Sequence, residues 1–89
     1  MKAFEIRIEG IVQGVGFRYF TKRVAERYGI KGFVRNEEDG SVFIHAEGEE
    51  ENLKKFLAEV SRGPSAAVVT DIHVKEVPPQ NFRDFTIKR

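Results

Sequence analysis

Apolar and charged residues alternate without a break from Phe4 to Glu9. Phe4, Ile6 and Ile8 fall on one side, and Glu5, Arg7 and Glu9 on the other. A period of two is that of a strand buried on one face, so residues 3–9 are predicted to be such a strand, with the charged face in water. The period then changes. Phe17, Phe20, Val24 and Tyr28 recur at spacings of three and four, which is the stripe of a helix packing one side on a core. That predicts a helix over 18–28, ended by Gly29. Both tyrosines, Tyr19 and Tyr28, read as packing residues rather than catalysts.

The remaining chain repeats this sequence of periods. Gly32-Phe33-Val34-Arg35-Asn36 is short and β-prone, and Asp39-Gly40 after it is a hairpin signal. Residues 41–47 return as a strand, with Val42, Ile44 and Ala46 inward and Ser41, Phe43, His45 and Glu47 on the opposite, polar face. A second helix is predicted over about 49–62, with Glu49, Glu50 and Glu51 in its favourable first turn, a stripe of Leu53, Phe56, Leu57 and Val60, and a stop at Gly63-Pro64. A strand over 67–77 carries Ile72 and Val74 on one face and Asp71, His73 and Lys75 on the other. Pro78-Pro79 breaks the chain, and Phe85-Thr86-Ile87-Lys88 reads as a short last strand with no evident partner.

The order is β-α-β-β-α-β plus a short C-terminal strand. Two right-handed crossovers place both helices on one face of an antiparallel four-stranded sheet. This is the α+β, ferredoxin-like split β-α-β sandwich, with strand order 4-1-3-2. Its architecture alone assigns no function.

Composition narrows the classes. At 89 residues the chain is expected to be a single domain, 1–89. Fifteen basic residues against 14 acidic give a net charge of +1, which argues against binding nucleic acid or membrane by bulk electrostatics. The absence of cysteine excludes thiol catalysis, disulfides and thiolate metal sites. No apolar run is long enough for a membrane span, so a cytoplasmic protein is expected. Charged residues at 33% with no cysteine and one methionine lean towards a thermophilic source.

The chemistry concentrates where the first strand meets the first helix, in Gly10-Ile11-Val12-Gln13-Gly14-Val15-Gly16-Phe17-Arg18. Glycines let successive N–H groups share one concavity, and a helix start favours anions. Arg18 lies in or beside the first helical turn, where a cation is disfavoured by about 0.3–1 kcal/mol unless an anion binds. The residues alone leave two readings: a tight turn with Arg18 in water, or an anion cradle. Arginine's planar fork favours phosphate within the second. Asn36 reads either as a turn-starting residue or as a functional amide, and Gln13 as a brace for the loop. Glu37-Glu38-Asp39 reads as a solvated turn, without partners spaced for a metal. His45 and His73 lie on the polar face of strands separated by the first strand, which argues against a shared metal.

Two segments together make the chain resemble the acylphosphatase family over essentially its whole length. They are Ile8 to Arg18, and Gly32-Phe33-Val34-Arg35-Asn36 followed by Gly40, Val42 and Gly48. Gly16 is often a larger residue in the family. The resemblance implies hydrolysis of acyl phosphates to a carboxylate and inorganic phosphate. It implies that Arg18 and the backbone N–H groups of Gln13, Gly14, Val15, Gly16, Phe17 and Arg18 hold the phosphoryl group, that Asn36 positions the attacking water, and that no metal or organic cofactor takes part. The expected partners are a small acyl phosphate as substrate and inorganic phosphate as product and inhibitor, with no nucleic acid, no membrane and a monomeric state. Two other roles fit the architecture less well. A base-stacking nucleic-acid module needs exposed aromatics on the central strands, where this chain has Phe43 among acids. A sensor of carbamoyl or acyl phosphate acting for a fused enzyme would need a further domain.

Overall fold

The computed structural model describes residues 1–89. Its elements are β1 (Lys2–Ile11), α1 (Phe17–Tyr28), β2 (Lys31–Asn36), β3 (Val42–Gly48), α2 (Glu50–Arg62), β4 (Val68–Val77) and β5 (Phe85–Lys88). The predicted 4-1-3-2 order is present and is extended by β5 to β4-β1-β3-β2-β5. The first three pairings are antiparallel, with Ile6 opposite Ile44 and Val34 also opposite Ile44. The partner that the sequence did not reveal for β5 is β2, and this pairing is parallel, with Gly32 opposite Phe85 and Val34 opposite Ile87.

The helices cover one face of the sheet. α1 lies over β2 and β5, and α2 over β1, β3 and β4. Between them Ile6, Ile8, Val34, Val42, Ile44 and Ala46 from the strands meet Phe17, Val24, Leu53, Phe56 and Val60 from the helices, with Phe85 closing the β5 side. The stripe on α1 is rotated from the predicted one. Phe17, Thr21, Val24 and Ala25 are buried, while Phe20 and Tyr28 pack at its margins. The Thr21 hydroxyl is satisfied by the Phe17 carbonyl at 2.9 Å, so burying it costs little. Tyr28 packs as expected, and its hydroxyl donates to Glu59 of α2.

The other face of the sheet departs from expectation. Phe43 is half-buried, and His45 and Glu47 are 1% exposed, although alternation alone puts all three on a polar face. The segment after Pro78-Pro79 folds over them. Phe82 packs edge-on to Phe33, with ring centroids 5.7 Å apart, and Phe33 stacks on His45 at 5.8 Å. Glu47 holds that segment down. It accepts the backbone N–H groups of Gln80, Asn81 (2.9 Å) and Phe82 (3.2 Å), and it pairs with His45 Nε2 at 2.8 Å. Asn81 takes a φ of +63° to turn three successive amides onto one carboxylate, a conformation that asparagine tolerates better than most residues.

Burial pushes the Glu47 carboxyl up, but the Gln80 amide, the His45 ring and the Phe82 amide together hold it below its usual value. A carboxylate depressed in the folded state adds stability that is complete above its unfolded pKa of about 4.3 and is lost as pH falls through the folded value. Glu47→Gln keeps the shape and one acceptor oxygen but loses the charge-assisted bonds. We expect it to cost about 2–3 kcal/mol at neutral pH. In denaturant titrations from pH 7 to 2, the gap from wild type should narrow below about pH 4. A gap that stays constant down to pH 2 would show that the charge contributes nothing.

Candidate active site

β1 ends at Ile11 and α1 begins at Phe17, so residues 12–16 form the connection. Gly14 and Gly16 have φ of 76° and 78°, the left-handed region that glycine enters at little cost. A Cβ on either would meet nothing within 4 Å, so the requirement is conformational rather than steric. Gly10 does not belong to this loop, although the sequence groups it with the other two. It sits in β1 at a register shift, with φ 133°, and a Cβ there would stand 2.0 Å from the Val68 carbonyl oxygen. It is a bulge glycine that lets β4 approach.

Gly16 is the N-cap of α1, and no side chain caps that end. Phe20 N–H donates to the Gly16 carbonyl at 3.0 Å, but no backbone N–H of residues 13–18 meets an acceptor within the protein. A helix start always leaves a few such donors. Here the preceding loop adds more, and left-handed glycines curl such a run into a nest that suits an anion.

Gln13 fixes the loop to the neighbouring hairpin. Its Nε2 donates to the carbonyls of Glu37 (2.8 Å) and Ser41 (2.9 Å), the two ends of the β2–β3 turn. That turn is closed by Glu37 N–H to the Ser41 carbonyl at 2.9 Å, and by the Asp39 carboxylate accepting from the Ser41 amide and hydroxyl. One side-chain amide therefore locks the glycine loop to the strand that ends in Asn36.

Gly14, Gly16, Phe17, Arg18 and Asn36 all line one cavity of about 200 Å³. The two side chains singled out by the sequence, Arg18 and Asn36, are thus brought to the same space from the start of α1 and the far end of β2. Gln13 and Val15 do not line it: Gln13 braces the hairpin, and Val15 packs against the core. Arg18 is half-buried in the first turn of α1, and its Nη1 lies 3.4 Å from the Lys88 carbonyl oxygen of β5. Asn36 Oδ1 is buried and has no hydrogen-bond partner. An orphaned buried acceptor is costly, and Asn36 shares the lining of the cavity with the cation Arg18. No acidic residue lines the cavity, whose other cation is Arg89.

Four lining residues were not picked out from the sequence as site residues: Val12, Tyr19, Ile87 and Arg89. Tyr19 is not a packing residue, contrary to expectation, and is 63% exposed. Its position beside Arg18, off the apolar stripe, was the available signal. Ile87 and Arg89 reach the site only because β5 pairs with β2, which no local pattern announces. Neither histidine is near. His45 lies buried beside Glu47, and His73 sits on the β1–β4 surface between Glu9 (3.2 Å) and Asp71 (3.4 Å).

Comparison with known proteins agrees with this geometry. The acylphosphatase family model matches residues 4–87. An acylphosphatase of Thermotoga petrophila is 65% identical over 88 residues, covering 99% of this chain and 98% of the relative. One of Archaeoglobus fulgidus is 52% identical over 87 residues, covering 98% of each. The crystal structure of acylphosphatase from Bacillus subtilis superimposes with a TM-score of 0.97 at 40% identity over 100% of both chains.

Proposed function

We propose how this chain, which belongs to the acylphosphatase family and hydrolyses acyl phosphates to a carboxylate and inorganic phosphate, carries out that reaction with its own residues and without a metal. The amides of 13–18 and the Arg18 guanidinium hold the phosphoryl oxygens. The Asn36 carboxamide holds the water. The oxygen of that water forms the new bond to phosphorus, and the bond from phosphorus to the acyl oxygen breaks, with its electron pair leaving on the carboxylate. The proton released by the water passes to a phosphoryl oxygen. The observation that supports this most is the meeting, around one cavity, of Gly14, Gly16, Phe17 and Arg18, whose amides have no acceptor in the protein, with Asn36, whose Oδ1 has no partner.

The residue set is sufficient for the reaction. A departing carboxylate has a conjugate acid of pKa about 4, so it leaves without a general acid. Phosphoryl transfer chiefly requires alignment and stabilisation of charge on the equatorial oxygens, which a donor-rich loop and one guanidinium supply. Asn36 orients a water but cannot take its proton, hence the phosphate as acceptor. The test is hydrolysis of benzoyl phosphate by wild type and Arg18→Ala with excess chelator present. Undiminished wild-type turnover is expected, and a rate that collapses on chelation would overturn the metal-free mechanism.

With the phosphate as proton acceptor, kcat/KM should show no break near pH 6.5 that belongs to a histidine. His73→Ala, at an exposed position, should match wild type in both rate and pH profile. Loss of activity there, or a break in wild type that the variant lacks, would assign the proton to His73. The same reading makes the chain a single cytoplasmic domain, monomeric, inhibited by inorganic phosphate, and without nucleic-acid or membrane partners. Against base stacking, Phe43, the aromatic of the central strands, is half-buried, and Phe33 and His45 on the same face lie buried under Phe82; no helix is long and apolar enough to cross a membrane.

A further inference from the structure

The cavity of about 200 Å³ is smaller than the roughly 300–1,000 Å³ of sites that enclose an organic ligand. It accommodates a phosphoryl group and a water, so the acyl group must lie at its mouth. Tyr19 and Ile87 form the apolar part of that mouth. Tyr19 and Gly16 also line a second concavity, a groove of about 320 Å³ that runs along α1 past Phe20, Arg23, Arg27 and Pro64. The two spaces therefore adjoin, with the exposed Tyr19 ring between them.

The charge in this groove has one sign, since no acidic residue lines it. Arg27 is neutralised by Glu59 of α2 at 2.6 Å. Arg23 has none of the ion pairs that tie down Arg7, Arg27 and Arg35, and its guanidinium rests over the Tyr19 ring, 5.8 Å from the centroid. Tyr19 and Arg23 stand four residues apart and so share a helix face. Arg18 and Arg23 are five residues apart, about 7.5 Å along the helix axis and about 140° around it, with Tyr19 between them at about 100°. A ligand that reaches both must pass over the Tyr19 ring and carry an anionic group at each end.

We propose that Tyr19 and Arg23 form an acyl subsite that selects acyl phosphates whose acyl group presents a flat apolar stretch and then a second anionic group. This rests on the phosphatase reading above. The Tyr19 ring stacks on the acyl group, and the Arg23 fork pairs with the distal anion.

The test compares 4-carboxybenzoyl phosphate with its neutral isostere 4-carbamoylbenzoyl phosphate, in wild type and Arg23→Gln. The ratio of the two kcat/KM values cancels the intrinsic reactivity of each mixed anhydride when it is compared between proteins. That ratio should fall about three- to fivefold in Arg23→Gln, the size of an exposed ion pair, and the wild-type preference should shrink at 0.5 M salt, where the Debye length is only about 3–5 Å. Tyr19→Ala should raise KM for benzoyl phosphate more than for acetyl phosphate. Both positions are exposed, so unchanged melting temperatures are expected and separate these effects from unfolding. Ratios that are equal in the two proteins, or a Tyr19 effect that is the same for both acyl groups, would overturn the subsite while leaving the phosphatase reading intact. Failure of wild type to release phosphate from any of the four compounds would overturn that reading and the subsite with it.

Discussion

Replacing Arg18 by alanine is expected to lower kcat/KM for benzoyl phosphate by about a hundred- to ten-thousandfold. A guanidinium fork makes two charge-assisted hydrogen bonds to a phosphoryl group, each contributing roughly 1.5–3 kcal/mol. Losing both amounts to about two to four orders of magnitude in rate. The loss should appear in the ground state as well, as weaker inhibition by inorganic phosphate, since the product carries the same oxygens. Stability should hardly change. The one side-chain hydrogen bond of Arg18 within the protein is a long 3.4 Å approach to the Lys88 carbonyl, and substitutions that lose so weak a bond stay within about 0.5 kcal/mol. Arg18→Lys keeps the charge but loses the fork, so it should fall between wild type and the alanine variant. Full activity in Arg18→Ala would remove the centre of the mechanism.

Asn36→Ala should separate the two halves of the site. Its expected effect is a fall in kcat of about a hundredfold or more, comparable with the loss of one preorganised polar group, while the inhibition constant of phosphate stays within about twofold. An interaction made only with the attacking water weakens the transition state without weakening phosphate binding. The substitution also removes a buried acceptor that has no partner in the protein, so Asn36→Ala should be as stable as wild type or slightly more so. Improved stability with lost activity is what a residue kept for chemistry would show. If Asn36→Ala and Arg18→Ala lose phosphate affinity equally, the division of roles is wrong.

The parts of this molecule that the sequence made legible are those written in local periodicity. The alternation from Phe4 to Glu9 and the stripes of both helices gave the elements and, through crossover handedness, the 4-1-3-2 order. Gly14, Gly16 and Arg18 stood out as a glycine connection running into a cation at a helix start, whereas Asn36, an ordinary turn residue by itself, stood out only through the family resemblance. What stayed hidden depends on long-range packing. Nothing near Phe85 says that β5 joins β2 in parallel, so Ile87 could not be assigned to the site. His45 and Glu47 looked solvent-facing because alternation fixes a face but not what later folds over it. The segment that does so, 78–84, contains no periodic pattern. Tyr19 differs for another reason: it stands beside Arg18 and off the apolar stripe of α1, so its aromatic character does not bring it into the core.

The pairing of β5 with β2 also bears on how the protein is made. The cavity draws on residue 18, residue 36 and residue 87, and the approach of Arg18 to the Lys88 carbonyl spans 70 positions. Loops of that length close slowly, because chain entropy must be overcome before the contact rewards it. A ribosome adding roughly 5–20 residues per second releases the amide loop and Asn36 well before Ile87. The wall that β5 lends the cavity is therefore the last of its parts to be synthesised, and the complete site forms only once that strand has paired with β2.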